Sequence, residues 1–245
     1  MNVLNALFAY AQSRGFDRSS VLAAGGLTAA ALTSADERLP VSVLYSVHRA
    51  LDALTRDDSW GLSVVDALPK GSYGIAEYIF RCQPSLVDSL HAIVRYSCLL
   101  SEVSQLRLRT LPSGVVFEAV HVDPDVHGHT LHRSLYQNLL SGIMHIAREI
   151  TTPALSPYRV TLPFSPPASD SDALSKYRAV FGSIPEFETT PAALYFDAAA
   201  LATPVQAADP NLSSILQTHA DELLARARGH DEFVNQVRRV MLRQL

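Results

Sequence analysis

Residues 176–216 read KYRAVFGSIPEFETTPAALYFDAAALATPVQAADPNLSSIL, which packs a helix end, two extended segments and a helix start into one stretch. Tyr177, Val180 and Phe181 recur at helical spacing, Gly182 can take the left-handed conformation that closes a helix, and Pro185 opposes its continuation. Residues 186–188, around Phe187, read as a short strand. Residues 189–191 form a turn, and Leu194, Tyr195 and Phe196 resume extended structure before Asp197. Asp209 suits an N-cap and Pro210 the first helical position, so a final helix opens there.

The same alternation extends upstream. Leu106 and Leu108 alternate with Arg107 and Arg109, Pro112-Ser113-Gly114 supplies a turn, and 115–122 is β-rich, which predicts a hairpin. Leu131, Leu135, Leu139, Ile143, Ile146 and Ile150 mark a long buried helix, 158–162 a further strand, and 170–181 a helix with Asp170 as its cap. Before residue 100 the period is helical. Val3, Leu4, Leu7, Phe8 and Ala11 precede Gly15, and short helices follow near 19–24 and from Trp60. A longer one starts at Pro40, and 84–100 is strongly amphipathic. Strands and helices in this order give an α+β fold: an N-terminal helical layer, then a small antiparallel or mixed sheet packed with helices, without βαβ repetition.

These motifs together resemble a known family. FG-x-x-P-x-F, A-x-L-x-F, a leucine, a proline and DP-x-L place Phe181, Gly182, Phe187, Leu194, Phe196, Leu201, Pro204, Asp209, Pro210 and Leu212 at fixed positions of a signature. It resembles the end of the N-terminal effector-binding domain of one branch of AraC-family transcription regulators, named after an arabinose-binding domain. Gly61-Leu62-x-Val64, the spacing of Gly74 and Tyr78, and the Arg95-Tyr96 pair resemble earlier segments of the same family. The resemblance implies an effector-binding and dimerisation domain over 1–228, mostly helical in 1–100 and sheet-containing in 101–200. Residues 229–245 would begin the linker to a DNA-binding module, whose two helix-turn-helix units would lie beyond residue 245. That arrangement fits either a regulator cut where its DNA reader starts or a natural short form. The helix content reads against the cupin-type β-barrel of the AraC sugar sensor.

Composition narrows the function further. A chain of 245 residues with 48% hydrophobic and 18% charged residues can bury a core, and its longest near-apolar run, 21–32, is too short to span a bilayer. No secretory pattern opens the chain, so a cytoplasmic location is expected. A formal charge of −4 opposes nucleic-acid binding by the whole chain, although residues 226–245 carry five arginines against two acids on an amphipathic pattern. Cys82 and Cys98 lack metal or redox spacing and read as two buried free thiols.

No nucleophile elbow, phosphate loop or H-E-x-x-H occurs, so no catalytic residue and no cofactor is assigned. Segment 121–132, with His121, Asp123, Asp125, His127, His129 and His132, contains possible zinc ligands and also has the composition of a solvated turn. The turn reading is preferred, and no metal is assigned; a small metal-dependent enzyme using that loop, or a ligand-free oligomerisation domain, is the rival function. His91, His132 and His145 lie by apolar helical strips, where a buried, satisfied histidine is the default. Together with Tyr73, Tyr78, Arg95, Tyr96 and Tyr136 they are the candidate polar contacts of an apolar effector pocket. Arg95 could pair with a carboxylate, so a carboxylic acid or lipid-like effector is expected. A homodimer is expected too, through the final helices or the helix from Pro84, with DNA bound only by the absent module.

Overall fold

Four antiparallel strands in the order β1-β2-β4-β3 form the sheet, and helices pack against it. The computed structural model describes residues 3–28, 41–100, 104–121, 133–167 and 172–242, the last of these by backbone alone beyond residue 226. In chain order the helices α1 (Val3–Ser13), α2 (Arg18–Ala24), α3 (Val41–Thr55), α4 (Ile75–Arg81) and α5 (Leu86–Tyr96) precede the hairpin β1 (Ser104–Leu111) and β2 (Gly114–His121). Then come α6 (Arg133–Ile150), β3 (Arg159–Thr161), α7 (Ala173–Phe181), β4 (Ala192–Asp197), α8 (Ala198–Leu201) and α9 (Pro210–Leu242). The chain is therefore α+β, and among the described residues the four strands form one open sheet.

Two apolar cores follow from this order. Helices α1 to α3 close over Trp60, whose ring stacks on Tyr10 at 5.5 Å and whose Nε1 donates to Asp52 at 2.6 Å. The larger core lies between the sheet and helices α4 to α7, with Phe80, Tyr96, Phe117, Tyr177, Phe181 and Phe196 fully buried. Helix α6 runs where the two meet. It buries polar residues as well as apolar ones: Ser134 Oγ lies 2.8 Å from His48 Nδ1, and Gln137 Nε2 donates to the Asp58 carbonyl at 2.7 Å and the Tyr177 hydroxyl at 2.6 Å. Each such bond offsets the cost of taking a polar group out of water.

The local signals at 176–216 act as their chemistry dictates. Gly182 is left-handed at φ 82° and its N–H closes α7 on the Arg178 carbonyl at 2.8 Å. A Cβ there would also stand 2.6 Å from Ser156 Oγ, so Gly182→Ala should cost about 1–2 kcal/mol in a denaturation curve. Asp209 Oδ1 accepts the N–H groups of Asn211 and Leu212 at 3.0 Å, and Pro210 is the first residue of α9.

Several expectations are corrected. Residues 186–188 make only an isolated bridge, Glu186 to Thr161, because Glu188 turns to φ 55° and leaves the extended region. Helix α9 runs unbroken for 33 residues through Gly229, about 50 Å at 1.5 Å per residue, where two helices were anticipated. Cys82 is buried, but Cys98 is exposed, since it sits in the short 3-10 turn that ends α5 and points outward. His91 and His145 are likewise exposed: the buried faces of their helices run through Leu86, Leu90 and Ile93, and through Ile143, Ile146 and Ile150. The Asp170 cap lies outside the described residues, and α7 begins after Asp172.

Candidate functional site

Glu77 shapes the site. It is 3% exposed in the first turn of α4 and reaches back over a glycine-rich turn. Its Oε1 accepts the Gly71 N–H at 2.9 Å and its Oε2 the Tyr73 N–H at 3.0 Å, while Arg81, one helical turn on, donates Nε to Oε1 at 2.9 Å. Arg81 also meets Glu149 of α6 at 2.8 Å, and Lys70 meets the same carboxylate at 2.5 Å. Two acids and two bases thus tie the turn to α6 with no net charge. Glu149 illustrates the balance: burial alone would raise its pKa, but hydrogen bonds from Lys70 and Arg81 and their charges lower it.

The clamped turn presents the Tyr73 ring to α6. Its hydroxyl donates to Asn138 Oδ1 at 3.3 Å, and a Cβ on Gly142 would come within 3.2 Å of that hydroxyl. Burial, then the Glu77 charge, pushes the Tyr73 pKa well above the usual tyrosine range, so the phenol stays protonated. Between Tyr73, α4, α5, α6 and β1, with Val3 of α1 and Leu44 of α3 at its wall, lies a cavity of about 90 Å³. Leu44, Phe80, Ile93, Leu106, Leu139 and Ile143 supply most of its wall, with Tyr73, Glu77, Ser97 and Asn138 as its polar groups. One water needs roughly 10–15 Å³, so the space admits several waters or the body of a small organic molecule.

Of the residues singled out from the sequence, Tyr73 lines this cavity. Tyr96 is not among the lining residues; it is fully buried, with its hydroxyl donating to Asp221 of α9 at 3.0 Å. Tyr136 is half-buried with its ring 6.3 Å from Phe164, and burial together with Tyr45 pushes its pKa up to about 12. Tyr78, His91 and His145 are exposed, and Arg95, also exposed, donates to both carboxylate oxygens of Asp221 at 2.9 Å. His132 lies outside the described residues, as does the rest of segment 122–132. Glu77, Asn138 and Gly142 were not singled out from the sequence. The one available signal was Gly142, a residue that costs about 1 kcal/mol relative to alanine in a helix interior and so marks a packing need.

The comparisons agree with the geometry. A family model described as the arabinose-binding domain of AraC transcription regulators, N-terminal, matches residues 15–205. The chain belongs to this family. Its fold is similar to the crystal structure of the transcriptional regulator CdpR from Pseudomonas aeruginosa, with a TM-score of 0.56 and 16% identity. That likeness covers 80% of this chain and 58% of CdpR, and at such identity it speaks for fold alone. No curated protein matches the sequence. As an AraC-type domain of this family the chain is a regulatory ligand-binding domain. Among the described residues no helix is long and apolar enough to cross a membrane, and no group of three His, Cys, Asp or Glu is placed to hold a metal.

Proposed function

We propose that this AraC-type domain, without enzymatic activity, senses a small molecule in the cavity and passes its occupancy to a C-terminal DNA-binding module through α9. The observation that carries the reading is that α5 serves both sites. Ile93 and Ser97 face the cavity, while Arg95 and Tyr96 hold Asp221 of α9. Helix α9 also inserts Ala220 and Leu224 into the main core and takes a bond from Gln83 Nε2 to Ser213 Oγ at 2.8 Å. A ligand that fits one placement of α4 and α5 better than another shifts the equilibrium of α9 by that difference in affinity. The Arg95–Asp221 pair is exposed on both sides, 58% and 44%, so it orients α9 without locking it.

Gly142 provides the test. Gly142→Val crowds the Tyr73 ring, whose hydroxyl would already lie 3.2 Å from an added Cβ, and drives it into the cavity. It should abolish the thermal shift given by any hit from a broad ligand screen in protein that still unfolds cooperatively. A hit that stabilises both proteins equally binds elsewhere, and the site assignment then fails. Asp221→Ala removes an exposed ion pair and also the acceptor of the buried Tyr96 hydroxyl, and should cost about 1–3 kcal/mol in stability. It should also raise amide exchange along 210–226 and uncouple that exchange from ligand. We also propose that the domain forms a homodimer through the outward strip of α9, where Leu212 is 42% and Ile215 67% exposed. Sedimentation of Ile215→Asp should then show a monomer at concentrations where the parent dimerises.

A further inference from the structure

The polar groups of the cavity discriminate by charge. Among its described lining residues there is no arginine, lysine or histidine. The nearest formal charge is the Glu77 carboxylate, already occupied by two backbone N–H groups and the Arg81 guanidinium. An anionic head would therefore enter a space with no cation to receive it and with a carboxylate in its wall. A cationic head would have to displace Arg81 from a pair that is almost wholly buried, with side chains 14% and 3% exposed. Arg95, the one cation expected from the sequence to receive a carboxylate, is engaged on the far side of α5 by Asp221.

Neutral hydrogen bonding remains. Asn138 is 95% buried by its 5% exposure, and its Oδ1 accepts from Tyr73 while its Nδ2 has no hydrogen-bond partner among the described residues. Asn138 lines the cavity, and an amide N–H₂ there without a protein partner is open to an acceptor oxygen brought by a ligand. From this geometry we infer that the cavity takes an uncharged, mainly apolar molecule of roughly six to eight non-hydrogen atoms in its buried part. The molecule carries one carbonyl or hydroxyl oxygen, which Asn138 Nδ2 receives. The inference rests on the cavity being the effector site and adds to it the charge and the acceptor of the ligand.

The test is an NMR titration of the δ1 methyls of Ile93, Ile143 and Ile146 with hexanamide, 1-hexanol, hexanoate and hexylammonium at pH 8, in the parent protein and in Gly142→Val. Hexanamide and hexanol should shift these methyls saturably, at least tenfold more tightly than either ion, and should lose the effect in Gly142→Val. Asn138→Leu should weaken hexanamide at least fivefold while moving pentane, which has no acceptor, by less than twofold. Tighter binding of hexanoate or hexylammonium that still disappears in Gly142→Val overturns the charge assignment and leaves the cavity as the binding site. Shifts that survive Gly142→Val overturn both. No saturable shift with either neutral compound overturns the inference, while the ligand screen decides the site independently.

Discussion

Replacing Glu77 by alanine should lower the stability of the domain by about 3–5 kcal/mol, the usual cost of removing one partner of a buried ion pair. The magnitude follows from what the carboxylate holds. The Gly71 and Tyr73 N–H groups lose their acceptor, and Arg81, whose side chain is 14% exposed, keeps only Glu149. Unpaired buried donors cost roughly 1–3 kcal/mol each when the structure cannot open to water. Glu77→Gln should fall between, because an amide oxygen can still accept one turn N–H but no longer balances the guanidinium. The control is Glu149→Ala. Its carboxylate is 28% exposed, its Lys70 partner lies at the surface, and Arg81 keeps Glu77 when Glu149 is lost, so the loss should stay at about 1 kcal/mol. Urea denaturation of the three variants gives the order directly; equal losses for Glu77→Ala and Glu149→Ala would mean that Glu77 does not hold the turn. Ligand binding provides a second readout, since Tyr73 is placed by that turn and Glu77→Ala should weaken any cavity ligand even well below the melting temperature.

Why the sequence displayed some of this and concealed the rest has physical reasons. The Gly182 stop, the Asp209-Pro210 start and the turn at Pro112-Ser113-Gly114 are legible because each is set by neighbouring residues alone. Helix α4 escaped notice since it spans seven residues, opens on Gly74 at φ 67° with no side-chain cap, and carries in Glu77 a residue type that normally marks solvent. The same rule misleads on α6. In an amphipathic helix polar residues face water, but α6 is packed on most sides, and Ser134, Gln137, Asn138 and Ser141 are all buried there. Asn138 thus reads as surface when it faces the cavity. Arg95 misleads in the opposite sense, because its true partner, Asp221, lies 126 residues away and no local pattern pairs them. Tyr73 was singled out only as one of several aromatics with a polar tip that could serve an apolar pocket, a criterion that Tyr78 met equally well and that does not tell a lining residue from an exposed one. The family resemblance was found through spacings that are themselves turns and caps.

Gly61→Ala tests where the two cores join, and it should cost about 3 kcal/mol, at the upper end for an overpacked interior position. Gly61 lies in the 3-10 turn Trp60–Ser63, which rests on α6. A Cβ there would stand 2.6 Å from the Ser134 carbonyl oxygen, 2.7 Å from Gln137 Oε1 and 2.9 Å from Gln137 Cβ. The carbonyl belongs to helix backbone and cannot move aside alone, and Gln137 is fixed by its bonds to Asp58 and Tyr177. The turn must therefore lift. Its neighbours are buried in different cores, Trp60 among α1 to α3 and Leu62 in the main core, so lifting it loosens both. Gly15→Ala separates this steric cost from backbone strain: Gly15 sits at φ 85° with nothing within 4 Å of an added Cβ, and should cost only about 1 kcal/mol. For a chain of this size 3 kcal/mol corresponds to a fall of roughly 6–12 °C in melting temperature. Trp60 is the one tryptophan in the sequence, so its emission reports on this contact directly. A red shift in folded Gly61→Ala, absent in Gly15→Ala, would show the indole leaving its apolar contacts as the turn lifts. A Gly61→Ala protein as stable as Gly15→Ala, with unchanged emission, would show that α6 and this turn are not packed backbone to backbone.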